Sequence, residues 1–191
     1  MDNKERILQC ALELFYAKGY DAVGVQEIAE KAGITKPTLY YYFGSKYGLL
    51  ETLMNTGFDR LRRELNKAAE YNGNVSDTLY HMASAFLDYA VENHKNYMLF
   101  MALFYSAKEN EAYKAVEPLG LEFYKIMVDF FNRAAHELGN MNGRQEQFAI
   151  TFSGMINHYI FLSRDERGNP IPVTEEKKKA LIKQFLYGIY S

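Results

Sequence analysis

Apolar residues in this chain recur three and four positions apart almost from end to end, a period that belongs to helices and not to strands. The opening stretch sets the pattern. Ile7, Leu8, Ala11, Leu14 and Phe15 share one face, Asp2 and Glu5 stand where a cap and its acidic partner belong, and Gly19 ends the run. The same reading predicts helices over 25–32, from Thr35 to Gly44, and from Ser45 through Leu65 on Leu49, Leu53, Phe58 and Leu61. After the turn Tyr71-Asn72-Gly73-Asn74, a cap at Asn74 or Ser76 starts a fifth helix on Leu79, Met82 and Phe86. The run Tyr97–Tyr105 is apolar but holds no β-branched residue, so it reads as a buried helix. A seventh helix is expected after Pro118, reaching Leu138; an eighth spans 144–163, and a ninth follows Thr174. No strand–turn pair, repeat or low-complexity tract intervenes. The predicted fold class is all-α, with about nine helices.

Composition narrows the function classes. With 48% hydrophobic residues the chain can bury a core, and a net charge of −2 argues against a general polycation that coats nucleic acid. The single cysteine, Cys10, excludes a disulfide framework and a cysteine-based zinc site. The start, MDNKER, is polar where a signal peptide would be apolar. The longest apolar run, Tyr97–Tyr105, falls far short of the roughly 20 residues that cross a bilayer. A cytoplasmic protein without a membrane partner is expected. The charge is also uneven: residues 31–50 hold Lys31, Lys36 and Lys46 and no acid. A local basic patch on an acidic chain suits a confined anionic partner.

That patch coincides with the most informative segment, VQEIAEKAGITKPTLYYYFGSKYGLL over 25–50. It reads as two short helices joined by a tight turn at Gly33-Ile34-Thr35. Ala29 and Ala32 are small enough for a second helix to cross closely, and Leu39 and Phe43 give that helix its inner face. Lys36, Pro37, Thr38, Tyr40, Tyr41 and Tyr42 are left for the outside and the start. Three adjacent tyrosines on so short a helix cannot all be core, and a phenol offers water or a ligand both a flat face and a hydroxyl. The helix start adds free N–H groups suited to phosphate oxygens. This is the constitution of a helix-turn-helix with an exposed recognition helix.

The segment closely resembles the TetR family of bacterial transcriptional regulators. The resemblance lies in Ile28-Ala29, Ala32-Gly33-Ile34-Thr35-Lys36, Thr38 to Phe43, Ser45-Lys46 and Leu49-Leu50. It implies a helix-turn-helix DNA-binding domain over 1–47 and a helical effector-binding and dimerisation domain over 48–191. It also implies DNA contacts at Gln26, Thr35, Lys36, Pro37, Thr38, Tyr40, Tyr41 and Tyr42, with Lys46 as a phosphate clamp. Two departures stand out: Gly24 where many members have a hydroxyl, and Tyr47-Gly48 where an acidic and a small residue are usual.

The later helices supply material for an effector pocket, for which Phe86, Tyr89, Met101, Tyr105, Phe123, Met127 and His158 are the candidates. Methionines and aromatics adapt to irregular apolar ligands, so an apolar or amphipathic small molecule is expected. The eighth and ninth helices are oily on more than one face, which calls for a second partner. Phe148, Phe152, Met155, Ile156, Tyr159, Phe185 and Ile189 are therefore expected at a homodimer interface. The resemblance implies a repressor that binds an inverted-repeat operator in double-stranded DNA as a dimer. Effector binding among helices four to seven then tilts the fourth helix and releases the DNA. No enzyme is expected: there is no glycine-rich phosphate loop, and His81, His94, His136 and His158 lack metal-ligand spacing. No metal and no cofactor are called for. The alternative is a helical dimeric interaction module whose helix-turn-helix serves protein contacts.

Overall fold

A computed structural model describes residues 2–139 and 141–188. Among them nine helices follow one another: α1 (Asn3–Lys18), α2 (Val25–Ala32), α3 (Lys36–Phe43), α4 (Lys46–Ala68), α5 (Val75–Glu92), α6 (His94–Phe104), α7 (Glu111–Ala134), α8 (Gln145–Leu162) and α9 (Glu175–Tyr187). The described residues hold no strand, only an isolated bridge between Arg164 and Pro170. None of the described helices is long and apolar enough to cross a membrane.

The caps explain most boundaries. Asp2 and Glu5 form a reciprocal capping box on α1, with the Glu5 N–H 2.8 Å from Asp2 Oδ1. Asn74, and not Ser76, caps α5 by accepting the Asp77 N–H at 3.0 Å. Thr174 caps α9 through the Lys177 N–H.

The seventh helix corrects the sequence reading. It begins at Glu111, not after Pro118, and ends at Ala134. The buried stripe Ala112, Ala115, Val116, Leu119, Phe123, Met127 and Phe130 runs straight across the proline, which itself faces solvent. On that side the carbonyl deprived of its helical partner can bond to water, so the usual penalty for an interior proline is softened. Two residues on, a Cβ at Gly120 would lie 2.3 Å from the Phe104 ring. This turn of α7 thus accepts α6 at a distance only glycine permits.

The chain forms two compact units, Met1–Asp59 with Lys95–Gly120, and Arg60–His94 with Leu121–Ser191. In the first, α1, α2 and α3 pack around Ile7, Phe15, Ile28 and Leu39, while Phe58 of α4 meets Phe100 of α6 at 5.1 Å between ring centres. In the second, α5 packs on α8 and α9. Its core holds an aromatic cluster in which Phe131 contacts Phe148 and Phe185, and Phe152 contacts Phe185 at 5.3 Å. Lys178 of α9, at 4% exposure, is held by Asp88 of α5 at 2.8 Å and by Glu175 at 2.8 Å. A charge this deep is tolerated only with such partners.

Candidate nucleic-acid interface

The turn between α2 and α3 is built by two local devices. Gly33 adopts φ 63°, and the Ile34 N–H returns to the Ala29 carbonyl at 3.0 Å, so α2 ends in a left-handed cap that favours glycine. Thr35 then caps α3: its hydroxyl accepts the Thr38 N–H at 3.4 Å and lies 2.9 Å from the Thr38 hydroxyl. Pro37 sits in the first turn, where its missing N–H has no helical partner to lose.

With Leu39 and Phe43 buried as the inner face, the other side chains of α3 must point outward. Lys36 and Pro37 are exposed at its start and Thr38 is half-buried. Tyr41 is 84% exposed and Tyr40 46%, with Tyr42 just behind. Tyr41 and Tyr42 meet edge to face at 5.3 Å, so the phenols form a small aromatic outcrop, not three independent side chains. Gln26 is exposed on α2 and donates to Glu30 of the same helix. Lys31 is neutralised by Glu13 at 2.8 Å, which leaves Lys36 and Lys46 as the basic groups beside the tyrosines.

Lys46 opens α4 and is half-buried, its ammonium 4.1 Å from the centre of the Tyr20 ring. Burial pushes its pKa down, against the pull of Asp21 and Glu111. The Tyr20 hydroxyl donates to Glu111, and burial with that hydrogen bond pushes its pKa well up. Two residues after the lysine, a Cβ at Gly48 would lie 2.2 Å from the Phe43 carbonyl oxygen. The glycine that looked like a departure in sequence is thus what lets α4 start hard against the end of α3. Ser45 completes the junction by accepting the Gly48 N–H at 2.9 Å. Sequence reasoning missed Tyr20, Glu111 and Gly48 as parts of this site. An aromatic directly after Gly19 was a usable hint for the first; nothing local marks Glu111, which lies 91 positions from its partner.

The candidates in the later helices divide differently. Phe86 and Phe123 meet edge to face at 5.7 Å and, with Tyr89 and Met127, are buried in the second unit. Met101 and Tyr105 belong to the first unit, where Met101 is half-buried and Tyr105 exposed. His158 is exposed, its Nδ1 3.0 Å from the Gly154 carbonyl oxygen. A groove of about 870 Å³ in the second unit is lined by none of these residues. Its walls carry Glu64, Glu70, Asp77, Asp88 and Glu92 against Arg60 and Lys67, so acidic groups outnumber basic ones there.

On α8 two of the expected interface residues turn inward: Phe152 is 0% exposed and Ile156 1%. Their aromatic and branched side chains fill the core beneath the helix, so neither reaches a surface. Phe148, Met155, Tyr159 and Phe185 are half-buried. The large apolar side chains left outside are Ile150, Phe161, Leu162 and, on α9, Tyr187. Gly154 lies among them with open space where a Cβ would project. Ile189 lies outside the described residues.

Residues 7–53 match the sequence model described as bacterial regulatory proteins, tetR family. Among curated proteins, the chain is 31% identical over 98 residues to the HTH-type transcriptional activator FasR of Mycolicibacterium smegmatis, covering 51% of this chain and 45% of that protein. It is 32% identical over 84 residues to IcaR of Staphylococcus aureus, the HTH-type negative transcriptional regulator of the icaADBC biofilm operon, covering 44% of this chain and 45% of IcaR. The chain thus spans less than half the length of these two relatives. Among solved structures, the transcriptional regulator FadR from Bacillus subtilis in complex with stearoyl-CoA superposes with a TM-score of 0.78, over 97% of this chain and 98% of that one, at 15% identity. That likeness extends the shared fold to nearly the whole chain.

Proposed function

We propose, because residues 7–53 match the sequence model of the tetR family of bacterial regulatory proteins, that the chain is an effector-responsive repressor of that family. In this reading, residues 1–47 bind an inverted-repeat operator and residues 48–191 hold the effector and the dimer contact. The observation that carries it is α3: an exposed helix start with a lysine, two paired threonine hydroxyls and a phenol outcrop, on a stretch free of carboxylates. Lys36 is offered to a guanine edge or a phosphate, Pro37 and Thr38 to thymine methyls, Tyr40 to a phosphate, and Gln26, Thr35, Tyr41 and Tyr42 to the groove walls and backbone. Lys46 contacts a phosphate. The protein acts by binding in the cytoplasm, without a chemical step.

Dimerisation through the exposed side of α8 and α9 sets two α3 helices at the spacing of successive major grooves. The side chains that support it are Ile150, Phe161, Leu162 and Tyr187, which are costly to leave in water as a group. The effector is an apolar or amphipathic small molecule. Buried Phe86, Tyr89, Phe123 and Met127 supply the adaptable lining, and the fold-mate FadR was solved with stearoyl-CoA. Since FasR is an activator and IcaR a negative regulator, the repressor form needs its own assay, transcription in vitro from the operator-bearing promoter. The reading as a whole is tested by selection from random duplexes followed by titration of the winner. An enriched inverted repeat bound with a steep salt dependence is expected. No enrichment would overturn it in favour of a protein-binding helix-turn-helix.

A further inference from the structure

The lysine at the head of α4 is embedded in a cluster that joins two distant parts of the first unit. Its platform, Tyr20, is 4% exposed and packs at 5.2 Å on Phe15. The same phenol donates to Glu111 in the first turn of α7. One residue earlier, Asn110 Nδ2 donates to Asp21 Oδ2 at 3.0 Å, while Asn110 Oδ1 accepts the Ala112 N–H at 2.8 Å and so caps the helix it precedes. Two neighbouring residues after α1 are thereby tied to two neighbouring residues at the head of α7. The family match ends at residue 53, so the α7 half of this tie lies outside it.

Three charges meet here. Asp21 and Glu111 both favour the protonated ammonium of Lys46, whose half-burial works against it. Carboxylates and a DNA phosphate compete for one cation, and a ring that donates its hydroxyl to a carboxylate becomes a more electron-rich face for that cation. We infer that Tyr20 is a positioning residue for Lys46, and that Glu111 sets how much of the lysine's charge is available to a DNA phosphate. The inference rests on the phosphate role of Lys46 given above. A shift of the first turn of α7 changes both the phenol's hydrogen bond and the nearby negative charge. The head of α7 therefore reaches the DNA contact without any rearrangement of α3.

The test titrates the selected operator duplex at several salt concentrations with four variants: Tyr20→Phe, Tyr20→Leu, Glu111→Gln and Lys46→Ala. The first three are also combined with Lys46→Ala, and every protein is melted to check its fold. Tyr20→Leu, which loses the ring, binds about fivefold more weakly, and its salt slope falls by about 1. Tyr20→Phe keeps the ring and restores affinity to within about twofold. Glu111→Gln keeps an oxygen acceptor, loses the charge and binds about threefold more tightly. On the Lys46→Ala background all three differences vanish. If the Leu or Gln effects persist there undiminished, the inference is overturned, because they then act elsewhere. Should Tyr20→Leu fail to fold, exposed Glu111 decides alone through Glu111→Gln. If Lys46→Ala keeps the wild-type affinity and slope, the relay falls while operator binding stands. If the wild-type chain binds no duplex, both readings fall.

Discussion

Two helices of this protein leave large unsaturated or branched side chains in water, and they do so in opposite chemical styles. On α3 the exposed residues are phenols, Tyr40 to Tyr42, accompanied by Lys36 and paired threonine hydroxyls. On α8 they are Ile150, Phe161 and Leu162, the last 74% exposed, around a glycine with open space above it. A phenol can meet a polar, hydrated, negatively charged surface because its hydroxyl keeps a partner wherever the ring lies. A leucine or isoleucine gains only by leaving water altogether. The first helix therefore suits a nucleic acid groove, and the second suits a protein surface that excludes solvent.

The largest effect is expected from a charge placed on the α8 face. Phe161→Glu should weaken self-association on the order of a hundredfold, since taking a carboxylate out of water costs several kcal/mol, only part of which Arg164, 5.1 Å from the centre of the Phe161 ring, can return. Sedimentation over a concentration series reads this directly, and an unchanged dimer would remove α8 from the interface. The next effect falls on the α3–α4 junction. Gly48→Ala forces a Cβ onto the Phe43 carbonyl oxygen, and overpacking of this kind costs about 1–3 kcal/mol. Chemical denaturation should show the loss, with operator binding weakened as α3 shifts; equal stability would mean that α4 moves aside freely.

Tyr40→Ala comes third, with about a tenfold loss of operator affinity, the scale of one hydrogen bond to a charged phosphate oxygen. The dimer should survive it, which separates the two helices cleanly. The smallest effect concerns pH. All four histidines of the chain lie in the second unit, and burial with nearby Arg164 holds the His94 imidazole below its ordinary 6.5. A base whose folded pKa is depressed binds fewer protons than the unfolded chain, so its contribution is intact above about pH 6.5 and is lost as acid is added. Thermal melting between about pH 7 and 5 should fall less steeply in His94→Gln than in the wild type. An identical slope would assign the acid sensitivity to other groups.

The two regions also differ in how far the sequence could be read. In α2 and α3 each position is constrained by its neighbours: Gly33 by a left-handed cap, Thr35 by the N–H it accepts, Leu39 and Phe43 by their spacing. Local chemistry of that kind is written along the chain, and the exposed tyrosines followed from it. On α8, apolar residues lie on every side, so spacing alone could not say that Phe152 and Ile156 fill the core while Phe161 and Leu162 stay outside. Which side faced inward depended on α5, three elements earlier in the chain, and on Phe185 of α9, whose ring meets that of Phe152. The α7 boundary failed for a related reason. Pro118 looked like a helix start until its place on the solvent side let the buried stripe pass beneath it. The pairing of Tyr20 with Glu111 was illegible because it is a tertiary event.

The most direct test is sedimentation of the wild-type chain, Tyr40→Ala and Phe161→Glu with a fluorescent duplex carrying the selected operator. Two wild-type chains on each duplex are expected, with a Tyr40→Ala dimer that leaves most of the duplex free and a Phe161→Glu monomer with little affinity for it. A Phe161→Glu monomer that binds as tightly as the wild type, or a Tyr40→Ala protein that binds unimpaired, would contradict that expectation.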